Sequence, residues 1–210
     1  MIIYTAIFDN YDKLKTPNVI TKGWRYICFT NNKNLKSDVW EIKYVNNKVL
    51  SGVKAARIIK IRFYDYIKSD LSIWCDASML IDCDLNEFVD KYHKDSLTLM
   101  QHPSRNCVYY EGAACVHLKK DAFITIDTQL KKYLSEGMPK HYGMVQTGVM
   151  IRDNTVEVRN FCKKWADEVL KHSCRDQLSF NYIQWKHNYL TPHLISSDIL
   201  RNEFKLTRHL

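Results

Sequence analysis

The chain has 210 residues, 46% hydrophobic and 26% charged, with only 6 Gly and 4 Pro. This excludes a disordered, collagen-like or linker-rich chain and suits one domain with its own core. A formal charge of +8 and a pI of about 9.0 favour an anionic partner (nucleotide, nucleic acid or membrane surface), the alternative being a solvated basic face.

Ile2–Phe8 is a short β-rich apolar run that ends at the turn cluster Asp9-Asn10-Tyr11-Asp12. Trp24–Thr30 is a second such run, and the alternation over Trp40–Val45 predicts a third strand. Between Ser51 and Tyr66 the apolar spacing becomes helical and sets Arg57 and Lys60 three apart on one face. Leu71–Trp74 is a continuous apolar strand leading into Cys75-Asp76-Ala77-Ser78, after which Met79–Ile81 resumes the run. Asp84 reads as the N-cap of a helix through Tyr92, with Glu87 at the capping-box position. Leu97–Gln101 is a strand, and the stretch from His102 to Glu111 reads as a polar loop. Ala122–Leu134 is helical up to Gly137 and Pro139, Val145–Arg152 is a late strand, and Val156–Leu170 and Gln177–Trp185 are helices. The residues from Thr191 onward are basic and poorly patterned.

Strands that alternate with helices predict an α/β fold with a mostly parallel sheet in a single domain. The 7 cysteines are scattered, odd in number and form no CxxC pair, which argues against a zinc site and a complete disulfide framework. Reduced thiols, and a strand pattern that starts at residue 2 with no leader, lead to the expectation of a cytoplasmic protein. No apolar run is long enough to span a membrane.

The residue most suggestive of chemistry is Asp76, placed directly after a buried strand. Ligands of open α/β sheets sit beyond the carboxyl ends of strands, and an aspartate there can hold a cation or a ribose hydroxyl, or simply cap the turn. Arg57 and Lys60 on one helical face can clamp a diphosphate or form a solvated face. His102, Arg105, Tyr109 and Glu111 form a polar set after a strand, suited to substrate binding or acid–base work. Arg175-Asp176-Gln177 enters an apolar helix, as a binding motif or as a charged helix start.

Taken in order, these segments resemble GT-A glycosyltransferases. They are most similar to the glycosyltransferase-like domain shared by plant mucilage-related and bacterial capsule-type proteins. The likeness rests on Tyr4–Phe8 with Asn10-Tyr11-Asp12, Tyr26–Thr30, Ala56-Arg57 with Lys60, Trp74–Ser78, His102-Pro103 with Arg105 and Tyr109–Glu111, Glu136-Gly137 with Pro139, and Arg175–Phe180. It implies a GT-A-like, Rossmann-like domain whose sheet is flanked by helices. About 1–100 would form the nucleotide-sugar half and about 101–210 the acceptor half. By position, Phe8, Asp9, Asn10, Tyr11 and Thr30 would surround the nucleoside of a UDP-sugar, and Arg57 and Lys60 would face its diphosphate.

Asp76-Ala77-Ser78 stands where such enzymes carry Asp-x-Asp, with serine in place of the second carboxylate. The resemblance therefore implies a divalent metal, Mn2+ or Mg2+, on Asp76, with Ser78 and with His193 or His209 as further ligands, while the serine leaves metal dependence open. Asp82-Cys83-Asp84 also spells Asp-x-Asp but reads as the start of the following helix. Asp176-Gln177 is similar to the Asp-Gln pair of glycogenin-type enzymes. Asp176, Gln177 and Glu111 are thus expected to be catalytic, and His102, Arg105, Tyr109 and Arg175 to bind the acceptor.

The basic charge, the lysine pairs Lys119-Lys120, Lys131-Lys132 and Lys163-Lys164, and the tail residues Arg201, Lys205 and Arg208 lean toward a polyanionic acceptor. The Asn-, Lys-, Ile- and Tyr-rich composition resembles that of AT-rich phage genomes. The leading expectation is transfer to 5-hydroxymethylcytosine in duplex phage DNA, whose hydroxyl lies in the major groove. The alternative acceptor is a capsule, lipopolysaccharide or other glycan. Readings of other classes are a DNA-binding module, or a metal nuclease using Asp76, Glu111 and Lys119 or Lys120.

Overall fold

The computed structural model describes residues 1–46 and 49–207; Arg208 and His209, and the side chain of Arg201, lie outside the described residues. The strands are β1 (Ile2–Ile7), β2 (Arg25–Thr30), β3 (Glu41–Tyr44), β4 (Leu71–Cys75), β5 (Met79–Ile81), β6 (Leu97–Gln101), β7 (Val145–Asp153), β8 (His193–Ile195) and β9 (Phe204–Leu206). The helices are α1 (Gly52–Ile61), α2 (Leu85–Tyr92), α3 (Val108–His117), α4 (Phe123–Ser135), α5 (Val156–Lys171), α6 (Asp176–His187) and α7 (Ile199–Asn202). One sheet runs β3-β2-β1-β4-β7-β6-β8, and β5 pairs with β9 in a separate ribbon. Among the described residues of the large sheet, β1 is parallel to β2 and β4, β2 to β3, and β6 to β8, while β7 runs antiparallel to both its neighbours; β5 and β9 are antiparallel to each other. The α/β class with a mostly parallel central sheet is as expected.

Both faces of the sheet are covered, as parallel strands require. Along β1, Ile2, Tyr4 and Ala6 join the core beneath α1, α5 and α6, while Ile3 and Ile7 join the core on the side of α2. Asp84 caps α2 by accepting hydrogen bonds from the backbone N–H of Asn86 and Glu87. Three expectations change. The helix after Ser51 ends at Ile61, and a 3-10 turn over Phe63–Asp65 then sinks Phe63 into the core. The polar stretch before Glu111 runs into α3, which starts at Val108. The weakly patterned tail forms β8, α7 and β9, because Ile195 and Phe204 are buried and Phe204 packs on Phe88 with ring centroids 4.9 Å apart.

The chain leaves β1 toward β2 and β3 on one side and β4 on the other, so a crevice opens between the carboxyl ends of β1 and β4. The loop after β1 forms its rim. Asp9 and Asn10 adopt left-handed conformations (φ 55 and 53). The Asp9 carboxylate accepts from Asn31 Nδ2 at 2.7 Å and from the Gly52 backbone N–H at 3.1 Å, tying the loops after β1 and β2 to the start of α1. A Cβ on Gly52 would stand 2.1 Å from Asp9 Oδ2. Gly52→Ala should therefore cost about 1–3 kcal/mol through overpacking, read as a lower Tm in thermal unfolding. An unchanged Tm would show that this rim shifts freely.

Candidate active site

The crevice is a cleft of about 420 Å3. Phe8 and Tyr11 come to it from the end of β1 and the loop beyond, and Val53 and Arg57 from the first turns of α1. Trp74, Asp76, Ala77 and Ser78 form its floor at the end of β4, where Thr147 of β7 and Arg175, Asp176 and Gln177 at the start of α6 meet them. Leu118, Lys119 and Lys120, just past α3, form the facing wall.

The floor is a charge lattice. Lys60 Nζ lies 2.7 Å from Asp176 Oδ2 and 3.6 Å from Asp76 Oδ1. Arg57 pairs with the same two carboxylates, Nε at 3.1 Å from Asp176 Oδ1 and Nη1 at 3.6 Å from Asp76 Oδ1. The Arg57 Nε hydrogen is not aimed at the oxygen, so that contact is an ion pair rather than a hydrogen bond. Thr147 Oγ1 donates to Asp176 Oδ2 at 2.9 Å and accepts from Lys60 at 2.9 Å. The Lys60 and Asp176 side chains are 1% and 2% exposed, against 26% for Asp76. Burial alone would raise the Asp176 pKa, but Lys60 and Arg57 hold it far below the ordinary carboxylate range. Asp176 is thus a fixed anion, whereas Asp76 is the carboxylate of this lattice that reaches into the cleft.

Neighbouring backbone fixes Asp76. Its N–H donates to Gly148 O at 2.8 Å and its Oδ1 accepts from the Trp74 indole at 2.7 Å. Lys15 donates to Ala77 O at 2.9 Å, and Thr207 donates twice to Ser78 O, at 2.9 and 2.8 Å. Asp176 is held from behind, where Trp165 Nε1 donates to its carbonyl at 2.9 Å.

Among the described residues, Asp76 and Ser78 lack the further ligands that a resident divalent cation would need. A hard cation would sit about 2 Å from the Asp76 carboxylate, whose Oδ1 has Arg57 and Lys60 at 3.6 Å, both shared with Asp176. His193 lies on β8, three strands from β4 and about 14 Å away at ordinary strand spacing. Among the described residues no three His, Cys, Asp or Glu side chains converge as a ligand set. His193 is therefore corrected as a metal ligand, while His209, the other histidine expected to serve, lies outside the described residues.

Other candidates part company with the cleft. Lys60 lies beneath the cleft, not in its lining, so it does not face a ligand directly. Asp9 and Asn10 brace the rim, and Thr30 is buried, its hydroxyl accepting from the Asn32 N–H. Glu111 is buried against Arg105, with His102 Nε2 at 3.4 Å; none of the three lines the cleft. Tyr109 donates to Met138 O at 2.8 Å. Glu111, expected to be catalytic, and His102, Arg105 and Tyr109, expected to bind the acceptor, thus lie outside the lining of this cleft, Glu111 accepting from Arg105 and from Cys115 Sγ at 3.6 Å. Asp82 is bound by Asn18 and Lys205, so Asp82-Cys83-Asp84 is structural, as expected. Thr147 was not anticipated; the one signal was Gly148 interrupting an apolar strand, a mark of close backbone approach.

The model of the family described as TOD1/MUCI70, glycosyltransferase-like domain, matches residues 29–209. A protein of Arabidopsis thaliana described as "Probable hexosyltransferase MUCI70" is 23% identical over 241 residues, covering 100% of this chain and 42% of that protein. The chain thus spans less than half of this relative. Among solved structures, the apo form of the bifunctional glycosyltransferase WbbM is similar at TM-score 0.49 and 11% identity, over 94% of this chain and 38% of that one. The apo form of mouse xyloside xylosyltransferase 1 is similar at TM-score 0.46 and 9% identity, over 99% and 94%.

Two outcomes follow from the lattice. Asp176→Asn leaves Lys60 buried without its counter-ion and should cost about 3–5 kcal/mol in denaturant unfolding. Because the folded carboxyl has the lower pKa, its contribution is complete above about pH 4 and fades as pH falls. The gap between wild type and variant should therefore be wide at pH 7 and narrow in acid. Millimolar Mn2+ should leave the Tm unchanged; a rise in Tm would reveal a cation site.

Proposed function

The chain belongs to the TOD1/MUCI70 glycosyltransferase-like domain family, and from that premise we propose that it transfers a sugar from a nucleoside-diphosphate donor, with uridine diphosphate as the carrier, to a hydroxyl of its acceptor. The observation that carries this reading is the cleft at the β1/β4 switch point, with Asp76 held at its floor by Arg57 and Lys60. Glycosyl transfer passes through a cationic, oxocarbenium-like state. A preorganised carboxylate such as Asp76 stabilises that charge more than it stabilises the ground state. Asp176, ionised and with its oxygens engaged, is a poor proton acceptor near neutral pH and serves to place the cations. Gln177, which lines the cleft beside it, is the member of the Asp-Gln pair placed to meet the acceptor.

A glycan hydroxyl is the better-supported acceptor. Lys131 pairs with Asp127, Lys132 with Glu168 and Lys205 with Asp82, so part of the charge that suggested DNA is neutralised internally. Transfer to hydroxymethylcytosine in phage DNA is the second reading and rests on the lysines that stay exposed. A nuclease using Asp76 with Glu111 is disfavoured, because Glu111 lies outside the cleft.

The test is nucleoside-diphosphate release from a panel of UDP-sugars, alone, with glycan acceptors and with hydroxymethylcytosine duplex. Release stimulated by one acceptor class is expected, and Asp76→Asn should lower it at least about 100-fold. No release with any donor would overturn the proposal, and stimulation by modified DNA alone would exchange the two acceptor readings.

A further inference from the structure

In and directly beneath the cleft lie five cations, Arg57, Lys60, Lys119, Lys120 and Arg175, and three carboxylates, Asp12, Asp76 and Asp176. Two positive charges remain in excess, and their place in the cleft is uneven. Arg57 and Lys60 are cancelled by Asp76 and Asp176. Among the described residues, Lys119 and Lys120 have no ion-pair partner, and both are exposed. Arg175 lines the same cleft from the start of α6, beside Asp176 and the Cys115 thiol, its Nε buried and without a hydrogen-bond partner. The uncompensated charge is therefore on the wall of the cleft rather than on its floor.

The turn that carries the two lysines is closed by backbone hydrogen bonds. Leu118 N donates to Ala114 O, Lys119 N to Val116 O and Lys120 N to Cys115 O, closing the end of α3. Lys119 takes the left-handed conformation, φ 51, that this helix-end motif requires. Lysines near a helix carboxyl end also favour the helix dipole, but that does not explain their place on the cleft wall.

We propose that Lys119, Lys120 and Arg175 form the subsite for the diphosphate of the donor, while Arg57 and Lys60 act only through the carboxylates they hold. A nucleoside diphosphate esterified to a sugar carries two negative charges, which matches the excess. This assignment rests on the donor class proposed above and moves the diphosphate away from the helical face that the sequence suggested.

Calorimetric titration with UDP and with uridine tests it. The compared proteins are wild type, Lys119→Gln/Lys120→Gln, and Lys163→Gln/Lys164→Gln, which removes the same charge from the exposed face of α5. The first variant should bind UDP at least about tenfold more weakly and with a shallower salt dependence, since charge-assisted contacts to phosphate are lost. Its affinity for uridine should be unchanged. The second variant should stay within about twofold of wild type for UDP, as remote exposed charges are screened. UDP affinity that survives the first replacement, or falls equally in both variants, would overturn the subsite alone. Wild-type protein that binds no nucleoside diphosphate would overturn the donor reading and the subsite with it.

Discussion

A lysine ammonium that is 1% exposed is tolerable only with a carboxylate in direct contact, and the contact of Lys60 with Asp176 meets that demand. Removing either charge strands the other in a desolvated site. The pair is therefore a strict constraint, and the floor of the cleft is organised around it. Arg57 joins from the same face of α1, Thr147 satisfies both members, and Asp76 is drawn in as the exposed end of the lattice. The outcome is a carboxylate fixed in position although it sits on a turn.

The sheet supplies the geometry. β7 runs antiparallel to β4, so the first half of β7 lies beside the last residues of β4. On its other edge the register slips: Leu99 faces Met150 but Met100 faces Gln146. The intervening residues, Thr147 and Gly148 among them, leave the β6 ladder and face the Asp76 turn, where bulges commonly re-aim side chains. α5 and α6 complete the support, with Trp165 of α5 donating to Asp176 O and Ser179 Oγ. The same packing admits a second buried cation, Arg152, whose guanidinium lies 4.4 Å from the Phe63 ring centroid and donates to the Tyr4 hydroxyl.

Much of this arrangement was legible in residue patterns. Alternation and helical spacing located β1 to β7, and the Asp84 cap marked the start of α2 to the residue. A three-residue spacing put Arg57 and Lys60 on one face, and the end of an apolar strand singled out Asp76. Local pattern carries no information on which charges cancel, however. That depends on α6 bringing Asp176 to α1 across more than 100 residues of chain, which pairs the two expected phosphate ligands, Arg57 and Lys60, with a carboxylate. The polar cluster around Glu111 lies outside the cleft lining for the same reason: Glu111 pairs with Arg105 and His102. β8 and β9 were missed because three-residue strands are too short for a period to register, and tertiary burial of Ile195 and Phe204 decides them.

The most direct measurement takes the double variant Lys60→Met/Asp176→Leu through thermal unfolding and nucleoside-diphosphate release. Replacing a buried ion pair by apolar residues of similar size is often neutral or stabilising. The double variant should thus regain the Tm that Asp176→Asn loses, while release stays low because Arg57 and Asp76 have lost the partners that place them. A double variant that is as stable as wild type and releases nucleoside diphosphate at the wild-type rate would contradict the view that this lattice positions the cleft for its chemistry.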